Sequence, residues 1–154
     1  MTPQDAPAVL VEALAAIERG WPVLPVHGIR GGACTCSKGA KCKDTGKHPR
    51  TKNGLKDARA EEGTIREWWR EWSEANLGIR TGETSRLVVL DVAPRHGGDA
   101  TLVRLTDDHS PLPYTIRQVT GSGGKHVFFQ HPWRHIRNNQ NGKMGPGHPP
   151  GRSS

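Results

Sequence analysis

Residues 28–56 contain glycine, lysine and cysteine but no hydrophobic periodicity, so this stretch cannot bury a core of its own. A loop of that length usually serves a function or is held by an internal staple. It contains all three cysteines of the chain, Cys34, Cys36 and Cys42, followed by His48. Thiolate and imidazole are the groups that bind Zn²⁺ in structural sites, and the metal supplies folding energy that burial cannot. The pattern C-x-C-x5-C-x5-H therefore predicts a zinc-binding insert.

Two other interpretations of the cysteines are weaker. A disulfide would leave one of the three cysteines unpaired, and the expected compartment is reducing. Three incidental thiols would not be expected to cluster this closely. His27 and Asp44 are reserve ligands, to be used if His48 is committed elsewhere.

Hydrophobic spacing predicts three helices. They lie at residues 6–20, 63–75 and 98–108. Gly20 is expected to cap the C-terminus of the first, and Thr64 the N-terminus of the second. The second helix also carries an apolar stripe that is expected to face the core rather than to stack on a ligand. The stripe consists of Ile65, Trp68, Trp69 and Trp72.

Short apolar runs predict the strands. They lie at residues 21–27, 76–82 and 86–93, and in a hairpin at 114–131 around the turn "GSGG". Pro22 and Pro25 favour an edge or irregular position for the first strand. The order of helices and strands indicates a mixed α/β (α+β) fold rather than a regular βαβ series.

Length and charge set the organisation of the chain and its class of partner. With 154 residues the chain is about one domain long; we expect that domain at residues 1–131 and an irregular basic tail at 132–154. The formal net charge of +7 is concentrated in two segments, 27–59 and 109–154, which suits DNA, RNA or nucleotide phosphates. No apolar run approaches the roughly 20 residues that span a bilayer, and the N-terminus lacks the features of a signal peptide, so we expect a cytoplasmic protein.

The apolar run "RLVVLDVAPRHGG" delivers one carboxylate, Asp91, near its end. On a strand, residues i and i+2 point to the same face, so a metal-binding enzyme would place a second acid at position 93, where this chain has Ala93. An Asp in this place commonly caps the turn or helix that follows it. Taken by itself, the run is therefore explained as well by an Asp91 that caps the next turn or helix as by an Asp91 that binds a metal.

The segment "TGSGGKHVFF" offers the chemistry of a phosphate site. Its glycines allow close approach of the backbone, and Ser122, Lys125 and His126 supply hydrogen-bond donors. An ordinary glycine-rich turn with an exposed Lys and His is the plain alternative.

Several motifs in collinear order resemble a known family. They are "GKHP" (46–49), "NLGIRTG" (76–82), "LVVLDVAPRHGG" (87–98), "LP" (112–113) and "TGSGGKHVFF" (120–129). Together they are similar to the N-terminal primase-polymerase (prim-pol) domain of bifunctional DNA primase/polymerase proteins, in the archaeo-eukaryotic primase superfamily. The cysteine-rich segment also resembles the zinc-binding element of many such domains.

The resemblance implies an RRM-like catalytic core joined to an N-terminal α/β unit. It also implies DNA-templated nucleotidyl transfer from nucleoside triphosphates with Mg²⁺ or Mn²⁺, and a replicative helicase as partner. Asp91 matches the first acid of the family's Asp-x-Asp motif and would be catalytic and metal-binding. The small-x-His motif corresponds to Gly124, Lys125 and His126, which would bind the nucleotide, with His126 also catalytic and in contact with the nucleotide phosphates. Arg80 and Thr81 fall in the nucleotide-site loop.

The sequence departs from the family at two points. Ala93 replaces the second acid of Asp-x-Asp, and no acid follows Asp108, where the family has a third acid on a later strand. Two divalent ions about 3.5–4 Å apart need bridging carboxylates. We therefore expect a domain truncated at its C-terminus and impaired in catalysis. The alternatives are a non-catalytic, zinc-stabilised nucleic-acid or nucleotide-binding module, or a protein whose zinc insert recruits another protein.

Overall fold

The computed structural model describes residues 7–132 and 134–137. Within them the chain has three α-helices, α1 (Ala8–Glu18), α2 (Glu62–Glu71) and α3 (Gly98–Asp108). The strands are β1 (Val23–Val26), β2 (Ile29–Arg30), β3 (Ala33–Cys34), β4 (Asn76–Ile79), β5 (Leu87–Val92), β6 (Arg117–Val119) and β7 (Lys125–Gln130). The predicted mixture of helices and sheet is confirmed. None of the helices in the described residues is long and apolar enough to cross a membrane.

The chain divides into two compact units, with the boundary between Ser85 and Arg86. In the first, α1 and α2 pack on the antiparallel pair β1–β4. The core consists of Leu10, Ala13, Ala16, Val23, Ile65, Trp69 and Ala75. Trp68 and Trp72 are partly buried against it, so the apolar stripe of the second helix packs in the core as predicted.

Helix α1 ends in the glycine motif that the sequence predicts. Gly20 has a positive φ of 77°, which glycine adopts without steric cost. Its N–H donates to the Ile17 carbonyl, and the Trp21 N–H donates to the Ala16 carbonyl. These two bonds form a Schellman motif, which turns the chain directly into β1.

The prediction of Thr64 as the N-cap of the second helix is wrong. The helix begins at Glu62 with Glu61 at the N-cap position, and the Thr64 hydroxyl, already inside the helix, lies 3.3 Å from a carboxylate oxygen of Glu61. The helix ends at Glu71 rather than at residue 75. Beyond it the buried Trp69 indole N–H donates to the Ala75 carbonyl, which fixes the turn into β4.

Strand β1, which contains Pro25, forms a regular antiparallel ladder on one side only, and its partner there is β4. Its other side makes isolated bridges, Val26 with Pro49 and Val23 with Arg59. The irregular position predicted from the prolines is therefore observed. Both ends of the long segment that leaves β1 and returns before α2 are thereby held against this strand.

The second unit contains α3 and an antiparallel sheet in the order β5-β7-β6. The 98–108 helix has the predicted bounds, and β6 and β7 form the predicted hairpin. Strand β5 pairs along its whole length with β7, which places Asp91 opposite His126. The predicted irregular tail lies for the most part outside the described residues, and residues 132 and 134–137 contain neither helix nor strand.

Candidate functional site

Backbone hydrogen bonds position the cysteine and histidine side chains of the insert. Cys34 ends β3 of the small β2–β3 hairpin, and His48 lies where the insert returns to β1. The His48 carbonyl accepts a bond of 2.8 Å from the His27 N–H, and the Arg50 N–H donates to the Pro25 carbonyl at 3.0 Å. The insert therefore closes on the first unit through these backbone hydrogen bonds.

The four predicted zinc ligands come together. The Sγ atoms of Cys34, Cys36 and Cys42 and a ring nitrogen of His48 all lie within 4.8 Å of one another. The His48 Nε2 is 3.4 Å from Cys34 Sγ and 3.5 Å from Cys42 Sγ. In a tetrahedral zinc site, Zn–S and Zn–N bonds place sulfur and nitrogen about 3.6 Å apart. This cluster, which we call the Cys3His cluster, could therefore hold a metal such as zinc.

The electrostatic surroundings favour a thiolate at Cys34. Burial acts to raise the pKa of this thiol, but hydrogen bonds with the backbone of Gly46 and Cys36 and with the His48 ring outweigh it and lower the pKa to about 6. At Cys42, burial raises the pKa of the thiol, although a hydrogen bond with the Asp44 backbone acts to lower it. Since the thiolate is the form that binds metal, the lowered pKa of Cys34 favours metal binding by this residue.

The two reserve ligands lie outside the Cys3His cluster. The His27 ring stacks at a tilt on His48, with centroids 4.5 Å apart, and its Nδ1 lies 3.0 Å from the Thr35 hydroxyl. Burial is the main cause of a lowered pKa at His27, with smaller contributions from its neighbours His48 and Arg50. His27 thus orients His48. Asp44 is exposed beside the cluster.

Asp91 and His126 form the second place where chemistry-bearing groups meet. They are directly opposite each other in the β5–β7 ladder, and Asp91 Oδ1 lies 3.7 Å from His126 Nε2. The Asp91 side chain is 68% exposed and that of His126 37%. Between Asp91 and Ala93, Val92 is buried, so positions 91 and 93 both point away from the core.

The glycine-rich turn before β7 lies against the end of the Asp91 strand. Gly123 has a φ of 79°, and its N–H donates to the Thr120 carbonyl. A Cβ at Gly124 would lie 2.7 Å from the Val92 carbonyl oxygen, a backbone atom, so this position accepts glycine alone. The small residue of the small-x-His motif is therefore needed to bring this turn close to β5.

The donors predicted on this turn are accessible. Ser122 and Lys125 are exposed, and the Lys125 ammonium makes no ion pair within the described residues. Ser122 lies 3.3 Å from the Thr120 hydroxyl. Lys125 and His126 are successive residues of β7 and project to opposite faces of the sheet.

The two-metal centre of the expected reaction does not fit the residues at Asp91. Among the described residues, the Cys3His cluster is the only group of three or more His, Cys, Asp or Glu side chains close enough to share a metal. Asp91 offers one carboxylate, and Ala93 offers none. Bridging carboxylates for two divalent ions are therefore lacking on this strand.

Arg80 and Thr81 follow β4 in the first unit. The Arg80 N–H donates to the Pro22 carbonyl at 2.9 Å, which extends the β1–β4 pairing by one bond, and Thr81 is exposed. Asp91, the glycine-rich turn and His126 belong to the second unit. The structure thus assigns the predicted nucleotide-site residues to both units.

Sequence reasoning missed the role of His27 and Thr35 in supporting His48. It also missed the stacking of the Arg50 guanidinium over Trp72, 5.1 Å from the ring centroid. These contacts join residues that are separated in the sequence, and no local sequence pattern predicts them.

Comparison with known proteins gives one match. The family model described as bifunctional DNA primase/polymerase, N-terminal (Prim-Pol), matches residues 13–147. No curated protein and no solved structure matches the chain.

Proposed function

The chain belongs to the Prim-Pol family, and on that premise we propose that it acts on a DNA template and nucleoside triphosphates in the replication of a bacterial or mobile-element replicon. Membership of the family indicates a primase/polymerase-type function. In such a reaction, divalent metal ions stabilise the charge that develops on the attacking and leaving oxygens. We further propose a cytoplasmic location and a replicative helicase as partner.

We propose that the second unit corresponds to the RRM-like core of the family. Its elements run β5-α3-β6-β7, and the first strand pairs antiparallel with the third. This is the order of the first four elements in a β-α-β-β-α-β fold. The two helices and the β1–β4 pair of the first unit would then be the N-terminal α/β unit.

The nucleotide site would use the glycine-rich turn and the strand β7 that follows it. We assign the triphosphate to His126 and Ser122, because His126 is partly exposed on β7 and Ser122 lies on the exposed turn before it, whereas Gly124 is buried against Val92. Lys125 projects to the opposite face of the sheet from His126 and is therefore not assigned to the triphosphate. Arg80 and Thr81 of the first unit are proposed as nucleotide-binding residues on the family resemblance alone.

The observation that carries the proposal is the Asp91–His126 pair beside Ala93. It keeps the first acid and the histidine of the family's site in one cross-strand contact, 3.7 Å apart, while the second acid is missing from the same exposed face. Every 1.4 kcal/mol of lost transition-state stabilisation costs about tenfold in rate, and losing one metal costs several kcal/mol. We therefore propose that nucleotide binding persists and that catalysis is impaired.

A primer-synthesis and extension assay with Mn²⁺ tests this. The variants are Ala93→Asp, which restores the carboxylate, and Ala93→Asn, a control of nearly equal size without the charge. We expect little product from the natural chain, more from Ala93→Asp, and no gain from Ala93→Asn. Activity of the natural chain equal to that of Ala93→Asp would overturn the proposed impairment.

One observation favours a second function. Within the described residues, the only group of three or more His, Cys, Asp or Glu side chains close enough to share a metal is the Cys3His cluster. Its four protein ligands would leave no open position for a substrate, as in structural zinc sites. A non-catalytic, zinc-stabilised nucleic-acid or nucleotide-binding module would therefore also fit. Its signature is binding of single-stranded DNA or triphosphate together with inactivity of all three forms, Ala93→Asp included.

A further inference from the structure

A cavity beside the Cys3His cluster is rimmed by three lysines. The rim consists of Lys38, Lys41 and Lys43, and we call it the lysine rim. The same cavity is lined by the ligands Cys36, Cys42 and His48 and by His27. The metal-binding groups of the cavity are partly buried, and the three lysines are exposed.

Tight turns between the second and third cysteine fix the loop that carries Lys38 and Lys41. The Gly39 N–H donates to the Cys36 carbonyl, and the Lys41 N–H donates to the Lys38 carbonyl. Gly39 has a φ of 51°, a conformation that favours glycine. Lys43 directly follows Cys42, and all three lysines line the same cavity.

The charge of the rim is not neutralised by the protein. All three lysines are exposed, and none forms an ion pair within the described residues. Asp44 is the only carboxylate that lines this cavity. The insert as a whole, residues 28–56, carries eight lysines and arginines against that one acid.

Charge balance of the metal site does not account for this excess. Zn²⁺ with three thiolates and a neutral imidazole has a net charge of −1, which a single lysine offsets. A group of three strongly hydrated point charges with one carboxylate among them keeps a net positive charge, which is the chemistry that attracts phosphodiesters. The two aromatic groups of the cavity, His27 and His48, stack on each other and leave no platform for a base.

We propose that the lysine rim binds the phosphodiester backbone of the single-stranded DNA that the domain uses as template, without regard to sequence. This inference rests on the proposed function. It gives the zinc-binding insert a role in holding the strand, apart from the nucleotide site at Asp91 and His126. Each contact to a single-strand phosphate adds about 0.7 to the slope of log affinity against log salt.

The test compares two triple variants of the full chain that lose equal charge. One is Lys38→Ala/Lys41→Ala/Lys43→Ala. The matched control is Lys47→Ala/Lys52→Ala/Lys56→Ala, which removes three exposed lysines of the same insert that do not line the cavity. Fluorescence anisotropy with labelled oligo-dT is measured over a salt series, and zinc content and thermal unfolding are measured for every protein.

We expect the rim variant to lower the salt slope by about 2 and the control to change it by less than half as much. Equal losses in the two variants would overturn the inference, because binding would then follow net charge alone. An unchanged rim variant would overturn it as well, as would a loss explained by missing zinc. The proposed function fails separately, if the natural chain binds neither oligo-dT nor triphosphate.

Discussion

The carboxylate of Asp91 faces the imidazole of His126 across the β5–β7 ladder, with 3.7 Å between Oδ1 and Nε2. Both side chains are substantially exposed, and an exposed pair of this kind contributes at most about 1 kcal/mol to stability. The pair is therefore poorly explained as a stabilising contact. Its position beside the glycine-rich turn is consistent with the proposed triphosphate site.

The first prediction separates binding from stability at this pair. For His126→Ala we expect the unfolding free energy to change by no more than about 0.5 kcal/mol. Triphosphate affinity should fall about tenfold, since a charge-assisted hydrogen bond is lost. Chemical denaturation and titration with a fluorescent triphosphate measure the two quantities.

The control for this pair is Gln118→Ala. Gln118 pairs with His126 from the other side of β7 and is also exposed, so it tests a neighbouring truncation on the same sheet. It should leave both quantities unchanged. If Gln118→Ala weakens triphosphate binding as much as His126→Ala does, the histidine has no specific role.

The second prediction concerns the glycine that lets the turn approach β5. In Gly124→Ala the new Cβ would lie 2.7 Å from the Val92 carbonyl oxygen and 2.9 Å from Thr120 Oγ1. Because a backbone atom cannot move aside cheaply, we expect a loss of about 1–3 kcal/mol in the unfolding free energy. Urea denaturation measures it.

Gly121→Ala is the matched control in the same turn. A Cβ there would meet no atom within 4 Å, and the residue has no left-handed backbone conformation. Its unfolding free energy should stay within about 0.5 kcal/mol of the natural chain. Equal destabilisation by the two substitutions would mean that the close approach to Val92 is unimportant.

Local patterns predicted the helices and the hairpin well, because each is determined by neighbouring residues. The bounds of α3 and the glycine motif after Glu18 follow from spacing and backbone chemistry within a few residues. The Cys3His cluster was also predictable, since three cysteines and a histidine in a segment without a core have few other uses.

Features that depend on tertiary packing could not be predicted from local sequence patterns. Helix α2 has no side-chain hydrogen bond at its N-cap, and burial of Ile65 and Trp69 determines where it lies, so Thr64 was a misleading signal. The pairing of β1 with β4 joins segments on either side of the insert and of α2. No periodicity within either strand specifies that partner.

The third prediction is a pH dependence near the end of the insert. The Asp57 carboxylate accepts hydrogen bonds from the Asn53 backbone N–H at 2.8 Å and from its side-chain amide at 3.1 Å, and these bonds lower the pKa of Asp57 below 3.8. A folded-state pKa below the unfolded value stabilises the fold above pH 3.8. That stability is lost as the pH falls through the folded-state pKa.

The substitution Asp57→Asn should therefore destabilise the protein at neutral pH and make no difference in strong acid. Thermal unfolding at a series of pH values measures this. Asp44→Asn is the control, because Asp44 is an exposed acid of the same insert and its carboxylate accepts none of the hydrogen bonds found there. A constant gap between the natural chain and Asp57→Asn down to strong acid would contradict the assignment.

The fourth prediction is that the first unit depends on a metal held by the Cys3His cluster. The purified protein should contain about one zinc ion per chain, and His48→Ala or Cys34→Ser should lose it, because each removes one of four ligands. A strong chelator should lower the unfolding temperature of the natural chain and leave that of His48→Ala unchanged. Elemental analysis and thermal unfolding give the two readings.

Asp44→Asn again serves as the control for metal content, because its carboxylate lies outside the cluster and should not affect zinc. His27→Phe tests the supporting contact. It keeps a ring against His48 but removes the bond to Thr35, so it should weaken zinc binding without abolishing it. Loss of zinc in Asp44→Asn but not in His48→Ala would show that the carboxylate replaces the imidazole as the fourth ligand.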